Sequence, residues 1–200
     1  MLDVPRGTMA RLEALVNMVR EENQRQNLVS RASLESVWSR HILDSAQLVR
    51  YASAWAGRWL DIGSGAGFPG LVVAMLHCSK VVLVEARRSR AEFLGRAASA
   101  LAIEVEIVCA KAESLAPRPF DVISARACAP LERLLALGEK FSTPATCWIL
   151  PKGRSAQSEL EAARASWQGD FHLEPSLTDA DARIVVATQV RRKSPGKRIR

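Results

Sequence analysis

Asp61-Ile62-Gly63-Ser64-Gly65-Ala66-Gly67-Phe68-Pro69-Gly70 is the stretch from which the rest of this chain is read. It follows Arg58-Trp59-Leu60, which reads as a short buried strand. It precedes Leu71-Val72-Val73-Ala74-Met75-Leu76, an apolar run of good helix formers. A strand that turns through glycines into a helix has the form of a nucleotide-cofactor loop. Glycines reach positive φ and let the backbone come close to a ligand. Pro69 suits the first helical position, where its missing N–H is no loss. An ordinary glycine-rich turn has the same look; Asp61 before it and the acid Glu85 at the next strand end favour the cofactor loop.

Downstream, apolar strand-like runs alternate with helical segments. After Trp59-Leu60 come Val81-Val82-Leu83-Val84, Val105-Glu106-Ile107-Val108, Phe120-Asp121-Val122-Ile123 and Thr146-Cys147-Trp148-Ile149-Leu150. Near-continuous Val/Ile/Leu character suits parallel strands covered on both faces. Residues 69–78, 87–102, 130–141 and 155–168 suit the crossover helices, giving an α/β, doubly wound, Rossmann-like sheet. Phe171-His172-Leu173-Glu174 and Arg183 to Val190 have only a loop between them, so they pair antiparallel. The expected sheet has seven strands, mostly parallel, with an antiparallel strand at one end.

Upstream, residues 8–26 read as an amphipathic helix, with Leu12, Leu15, Val16 and Val19 on one face and Thr8 as its cap. A second helical pattern runs from Ser33 to Trp55, with Leu34, Trp38, His41, Ile42, Ser45, Leu48 and Ala52 on one face. Within it, His41 and Asp44 are spaced to face a common neighbour; residue type alone favours a structural His–Asp pair. The division is one domain: an N-terminal helical extension (1–57), the core (58–190) and a basic tail (191–200).

A chain of 200 residues suits one domain with a sizeable core. Its net charge of +7 favours an anionic partner such as nucleic acid. Cys78, Cys109, Cys128 and Cys147 are far apart with no CxxC pair, so reduced core thiols are expected and no metal site. The start shows no signal-peptide pattern, and no apolar run approaches the about 18 residues that span a bilayer. A cytoplasmic protein without a membrane partner is the expectation.

Open α/β sheets bind ligands outside the carboxyl ends of their strands. That rule gathers Gly63, Ser64 and Gly65, then Glu85, Ala112-Glu113, Arg126 and Lys152 on one rim. A carboxylate at Glu85 can accept both hydroxyl protons of a ribose; a helix N-terminal acid is the competing reading. Ala112-Glu113 is placed to meet an adenine ring. Gly65 to Gly70 formally fits GxGxxG, so a nicotinamide-dependent oxidoreductase is weighed. Phe68-Pro69 in the first turn narrows the approach of a pyrophosphate and removes a donor. With two helices before the first strand and a reversed strand closing the sheet, S-adenosylmethionine fits better than NAD.

Asn27-Leu28, Arg40-His41-Ile42-Leu43-Asp44-Ser45, Asp61 through Gly70, Ile123-Ser124-Ala125-Arg126-Ala127 and Lys152-Gly153 together resemble the bacterial small-subunit ribosomal RNA methyltransferase G family, also called glucose-inhibited division protein B. The resemblance spans residues 27–190. It implies a class I S-adenosylmethionine-dependent methyltransferase fold and methylation of N7 of a guanosine in 16S ribosomal RNA, free or in the 30S particle. It also implies cofactor contacts at Gly63, Phe68, Ala112-Glu113 and Arg126. Guanine N7 carries a lone pair and no proton, so no general base is expected; proximity and alignment should dominate. Arg126 is the pivotal residue expected, clamping the cofactor or holding an RNA phosphate or the guanine edge. Lys152, Arg87, Arg88 and Arg90 are candidates for phosphate contact, although a solvated helix start reads equally well for the three arginines. The rival readings are a methyltransferase for a small molecule or protein, the oxidoreductase, and a non-enzymatic RNA-binding module.

Overall fold

The computed structural model describes residues 4–53, 57–77 and 79–194. The apolar runs form β1 (Arg58–Ile62), β2 (Lys80–Glu85), β3 (Val105–Cys109), β4 (Val122–Ser124) and β5 (Cys147–Lys152). Two more strands, β6 (Trp167–Pro175) and β7 (Arg183–Arg192), complete one sheet in the order β3-β2-β1-β4-β5-β7-β6. Pairings among the first five are parallel; β7 is antiparallel to both β5 and β6. The reversed strand therefore lies one place in from the edge.

Side-chain alternation along the strands divides the interior into two cores. Trp59, Val81 and Leu83 pack on one face with Leu12, Leu15, Leu71, Val72, Phe93 and Leu94. Leu60, Val82 and Val84 pack on the other with Leu131, Leu135, Trp148 and Leu160. The first face is covered by α1 (Arg6–Glu22), α4 (Gly70–Leu76) and α5 (Arg88–Ala100), the second by α6 (Leu131–Gly138) and α7 (Ala156–Ala163). Burying each Leu or Val is worth roughly 1.5–3 kcal/mol, which makes the double covering the main source of stability. The two edge strands depart from continuous burial: Glu106 and Cys109 are exposed on β3, and Gln168, Asp170 and His172 on β6.

Several local expectations need correction. The first helix begins at Arg6 with Pro5 as its cap, and Thr8 lies buried inside it rather than capping it. The pattern expected to run from Ser33 to Trp55 breaks into α2 (Arg31–Glu35), a π-helical turn (Trp38–Leu43), α3 (Asp44–Ala46) and a 3-10 turn (Gln47–Tyr51). The wider turn shifts the faces, so His41, Ile42, Ser45 and Leu48 are buried while Trp38 is 40% exposed. Pro69 precedes α4 instead of being its first residue. Residues 165–168 leave the helix early, because Trp167 starts β6 and is buried against the sheet. Cys109, the last residue of β3, and Cys128, in the loop between β4 and α6, are exposed; Cys147 is half-buried, and all three are free thiols. Cys78, Trp55 and the last residues of the basic tail, 195–200, lie outside the described residues; Arg191 and Arg192 belong to β7. Among the described residues no helix is long and apolar enough to cross a membrane.

Candidate functional site

The carboxyl ends of β1, β2, β4 and β5 open on a cleft of about 1020 Å³, walled on its far side by α2, the π-helical turn and the loop between β6 and β7. Its floor is the glycine turn. Gly63 and Ser64 donate their N–H groups to the Val84 carbonyl, pinning the turn to β2, and Gly67 N–H closes on the Ser64 carbonyl at 2.7 Å. Gly65 sits at φ +56° and Gly67 at φ +90°. A Cβ at Gly67 would lie 2.5 Å from Leu71 Cδ1, so that position is closed to any side chain.

Asp61 anchors the turn from beneath. It is fully buried. Its Oδ1 accepts the Ser124 hydroxyl at 2.8 Å and its Oδ2 the Gly70 N–H at 3.2 Å. Ser124 Oγ in turn accepts the Trp59 indole N–H at 2.8 Å. The carboxylate thus ties the turn to α4 and to β4. Burial pushes the Asp61 carboxyl up from 3.8 to about 6, against the hydrogen bonds from Ser124 and Gly70. A raised folded-state pKa means that the group favours folding below pH 4 and loses that contribution as pH rises through 6. Relative to Asp61→Asn, wild type should therefore gain roughly 2 kcal/mol between pH 7.5 and pH 4. Urea unfolding of both proteins at each pH checks this; an unchanged difference between them would refute it.

Glu85, 5% exposed, ends β2 at the cleft wall. Its Oε2 accepts Gly65 N–H at 2.9 Å and its Oε1 accepts Arg87 N–H at 2.8 Å. It thus caps two backbone N–H groups, one of them at the start of α5, and faces the glycine turn. Each oxygen retains a second acceptor direction.

Arg126 follows β4 and reaches across the cleft mouth to the N-terminal segment. One guanidinium nitrogen donates to the Arg40 carbonyl at 2.8 Å and to Asp44 Oδ2 at 3.1 Å; the other donates to His41 Nδ1 at 2.9 Å. It also lies over the Phe68 ring, 5.4 Å from its centre, and His41 stacks on the same ring at 4.9 Å. The next residue, Ala127, is held at φ +53°, a left-handed conformation costing about 1 kcal/mol or more in a residue with a Cβ. The common neighbour expected for His41 and Asp44 is thus Arg126. An arginine can only donate, so Nδ1 of His41 accepts and the ring is neutral with its proton on Nε2. Burial, then the charges of Arg126 and Arg40, lower His41 to about 4, in agreement. Its Nε2 is buried without a partner.

The remaining expected residues separate. Lys152 is not a free phosphate ligand: its ammonium donates to the Ala129 carbonyl at 2.7 Å and pairs with Glu159 at 2.9 Å, with the side chain 8% exposed. Burial works against the Glu159 charge, but hydrogen bonds from Ser155, Lys152 and the Leu131 N–H outweigh it and hold that carboxyl below its usual value. Arg87 lines the cleft and is exposed. Arg90 also lines it, but donates to the Asn27 carbonyl at 2.9 Å. Arg88 points elsewhere and pairs with Glu92 on the helix surface. Ala112 is buried and Glu113 is exposed, and neither lines the cleft. Cys128 lines it; the residue is exposed, but its Sγ turns inward to the Ile62 carbonyl at 3.6 Å, and burial of the sulfur, then the Asp61 charge, push the thiol up to about 11, away from the thiolate that a nucleophile needs. Among the described residues no group of His, Cys, Asp or Glu is placed to hold a metal ion.

Residues 8–183 match the family model GidB, described as rRNA small subunit methyltransferase G. A protein of Rhizorhabdus wittichii named ribosomal RNA small subunit methyltransferase G is 54% identical over 98% of this chain and 92% of its own length. One of the same name from Erythrobacter litoralis is 54% identical over 89% and 87%. Solved structures share the fold at low identity. A variant of MtNAS in complex with S-adenosylmethionine has a TM-score of 0.60 at 15% identity, over 90% of this chain and 75% of that one. A ribosomal protein L11 methylase from Lactobacillus delbrueckii subsp. bulgaricus has 0.59 at 17%, over 75% and 77%.

Proposed function

Because the chain belongs to the GidB family, rRNA small subunit methyltransferase G, we propose that it transfers a methyl group from S-adenosylmethionine to N7 of a guanosine in 16S ribosomal RNA. The observation that carries this reading is the cleft: a glycine turn and an acid at the ends of two adjacent strands, beside an arginine held at the mouth.

The residues present fit an adenosyl cofactor. Gly63 to Gly65 leave the turn open to the cleft, and Glu85 keeps acceptor capacity for ribose hydroxyls. A dinucleotide fits less well. A pyrophosphate needs free N–H groups at a helix start. Here Pro69 has none, Gly70 N–H is spent on Asp61, and Leu71 N–H on the Gly67 carbonyl. When bound, S-adenosylmethionine supplies an electrophilic sulfonium methyl. The protein's share is to orient and to exclude water. The glycine turn, Glu85 and Phe68 hold the β1–β2 half of the cleft for the cofactor. Arg126 borders the β4–β5 half, where a guanine ring can approach. N7 has no proton to lose, so no base is required of the chain. Ala112-Glu113 would reach an adenine only from beyond the cleft lining, and Arg87 is the best placed of the expected cations for an RNA phosphate.

Methyl transfer is expected to 16S rRNA, or to 30S particles, from cells lacking the modification. The apparent affinity for RNA should fall about tenfold between about 50 and 200 mM salt, the loss that about two phosphate contacts produce. Tritium transfer followed by mapping of the modified nucleotide checks both statements. Label found only on protein or a small molecule would exclude the ribosomal reading.

A further inference from the structure

A chain of hydrogen bonds runs from the loop between β6 and β7 to the guanidinium of Arg126. Gln47 is 1% exposed. Its Oε1 accepts Leu177 N–H at 2.8 Å, and its amide donates to Ser176 Oγ at 3.2 Å and to Asp44 Oδ1 at 2.9 Å. Thr178 Oγ1 donates its single proton to Asp44 Oδ1 at 2.9 Å, so in its 3.0 Å contact with Ser176 Oγ it must accept. Every donor in the chain points towards one carboxylate. Asp44 Oδ1 holds two of them; Asp44 Oδ2 faces Arg126 at 3.1 Å.

Apolar burial does not explain how this loop is seated, since Leu177 at its tip is 57% exposed. The loop is held instead by polar bonds to the N-terminal segment, with Arg40 and Asp179 adding an ion pair at 3.4 Å. Two donors on Oδ1 fix the plane of the Asp44 carboxylate, and that plane sets where Oδ2 can hold the guanidinium. Bonds aligned head to tail strengthen one another.

We propose that Thr178 and Gln47 are positioning residues for Arg126, acting through Asp44, so that the seating of the β6–β7 loop sets the guanidinium in the cleft. The proposal rests on the reading of Arg126 as facing the reacting groups. It gives the loop a part in the methyl-transfer step without a contact of its own to the cofactor.

Thr178→Val keeps the shape and removes the hydroxyl; Thr178→Ser restores the donor. In the full-length protein, 15N spectra should resolve the two terminal nitrogens of a held Arg126 guanidinium. They should merge by rotation in Thr178→Val and stay resolved in Thr178→Ser. With 30S particles, kcat should fall about tenfold in Thr178→Val, the scale of a lost bond to a charged group. It should stay near wild type in Thr178→Ser, with the Kd for S-adenosylmethionine within twofold throughout. Resolved Arg126 signals and an unchanged kcat in Thr178→Val would overturn the proposal. So would a cofactor Kd that weakens as much as kcat, which would mean that the loop serves the fold or the cofactor. A wild type that methylates no ribosomal RNA would defeat the functional reading instead, and the spectra would still decide the positioning role.

Discussion

Replacing Gly65 by aspartate is expected to abolish S-adenosylmethionine binding in a chain that still folds. The position is chosen because it separates these two effects. At φ +56° it lies in the left-handed region that aspartate tolerates better than most residues. An added Cβ meets nothing closer than the Gly63 carbonyl oxygen at 3.8 Å, an ordinary contact. Gly67, at φ +90° with Leu71 Cδ1 2.5 Å from a Cβ, would fail through the fold. At Gly65 the damage is local. The new carboxylate occupies the open face of the turn and sets a second negative charge beside Glu85, whose Oε2 already accepts Gly65 N–H at 2.9 Å. Two adjacent carboxylates repel each other and the hydroxyl-rich face of a ribose loses its acceptor geometry. A Kd raised about a hundredfold or more corresponds to about 2.7 kcal/mol, well within what a lost pocket and a buried like charge cost. Titration calorimetry, with a thermal melt as the control for folding, gives the answer. Binding at wild-type strength by the folded variant would mean that the cofactor is held somewhere else.

The parts of the molecule legible in the sequence are those with a local signature. The glycine turn, the five parallel strands and the reversed strand near the sheet edge follow from periodicity and punctuation, and they appear as expected. The spacing of His41 and Asp44 announces a shared neighbour, yet nothing local tells that it is Arg126, more than eighty residues further on. The π-helical turn that aims them is equally silent, because it repeats the apolar spacing of an α-helix with one residue added. Lys152 shows the converse difficulty. Its place at the end of β5 suggests a phosphate ligand, and only the arrival of Glu159 from α7 turns it into a buried ion pair. Charge and position in the chain place a cation on the rim; its partner is decided by packing.

Arg126→Lys is expected to cut kcat about a hundredfold while the cofactor Kd moves by less than threefold. The variant keeps the charge, so it isolates what the guanidinium fork contributes. In wild type two nitrogens serve three acceptors on the N-terminal segment: the Arg40 carbonyl, Asp44 Oδ2 and His41 Nδ1, at 2.8, 3.1 and 2.9 Å. An ammonium on a flexible stem cannot hold that planar set. It would keep Asp44 by charge and leave His41 Nδ1, beside an Nε2 already unpartnered, without its donor. The stack of His41 on Phe68 then loses the clamp on one side, and the mouth of the cleft loosens. Losing alignment of about an ångström between two reacting atoms costs about a hundredfold in rate, with little effect on the affinity of either reactant. Arg126→Ala would be a poorer probe, since a half-buried Asp44 carboxylate would remain with no cation beside it. Single-turnover methyl transfer to 30S particles separates kcat from binding. A lysine variant that turns over at the wild-type rate would show that charge alone suffices at this position, and that the fork serves only to fasten two segments of the fold.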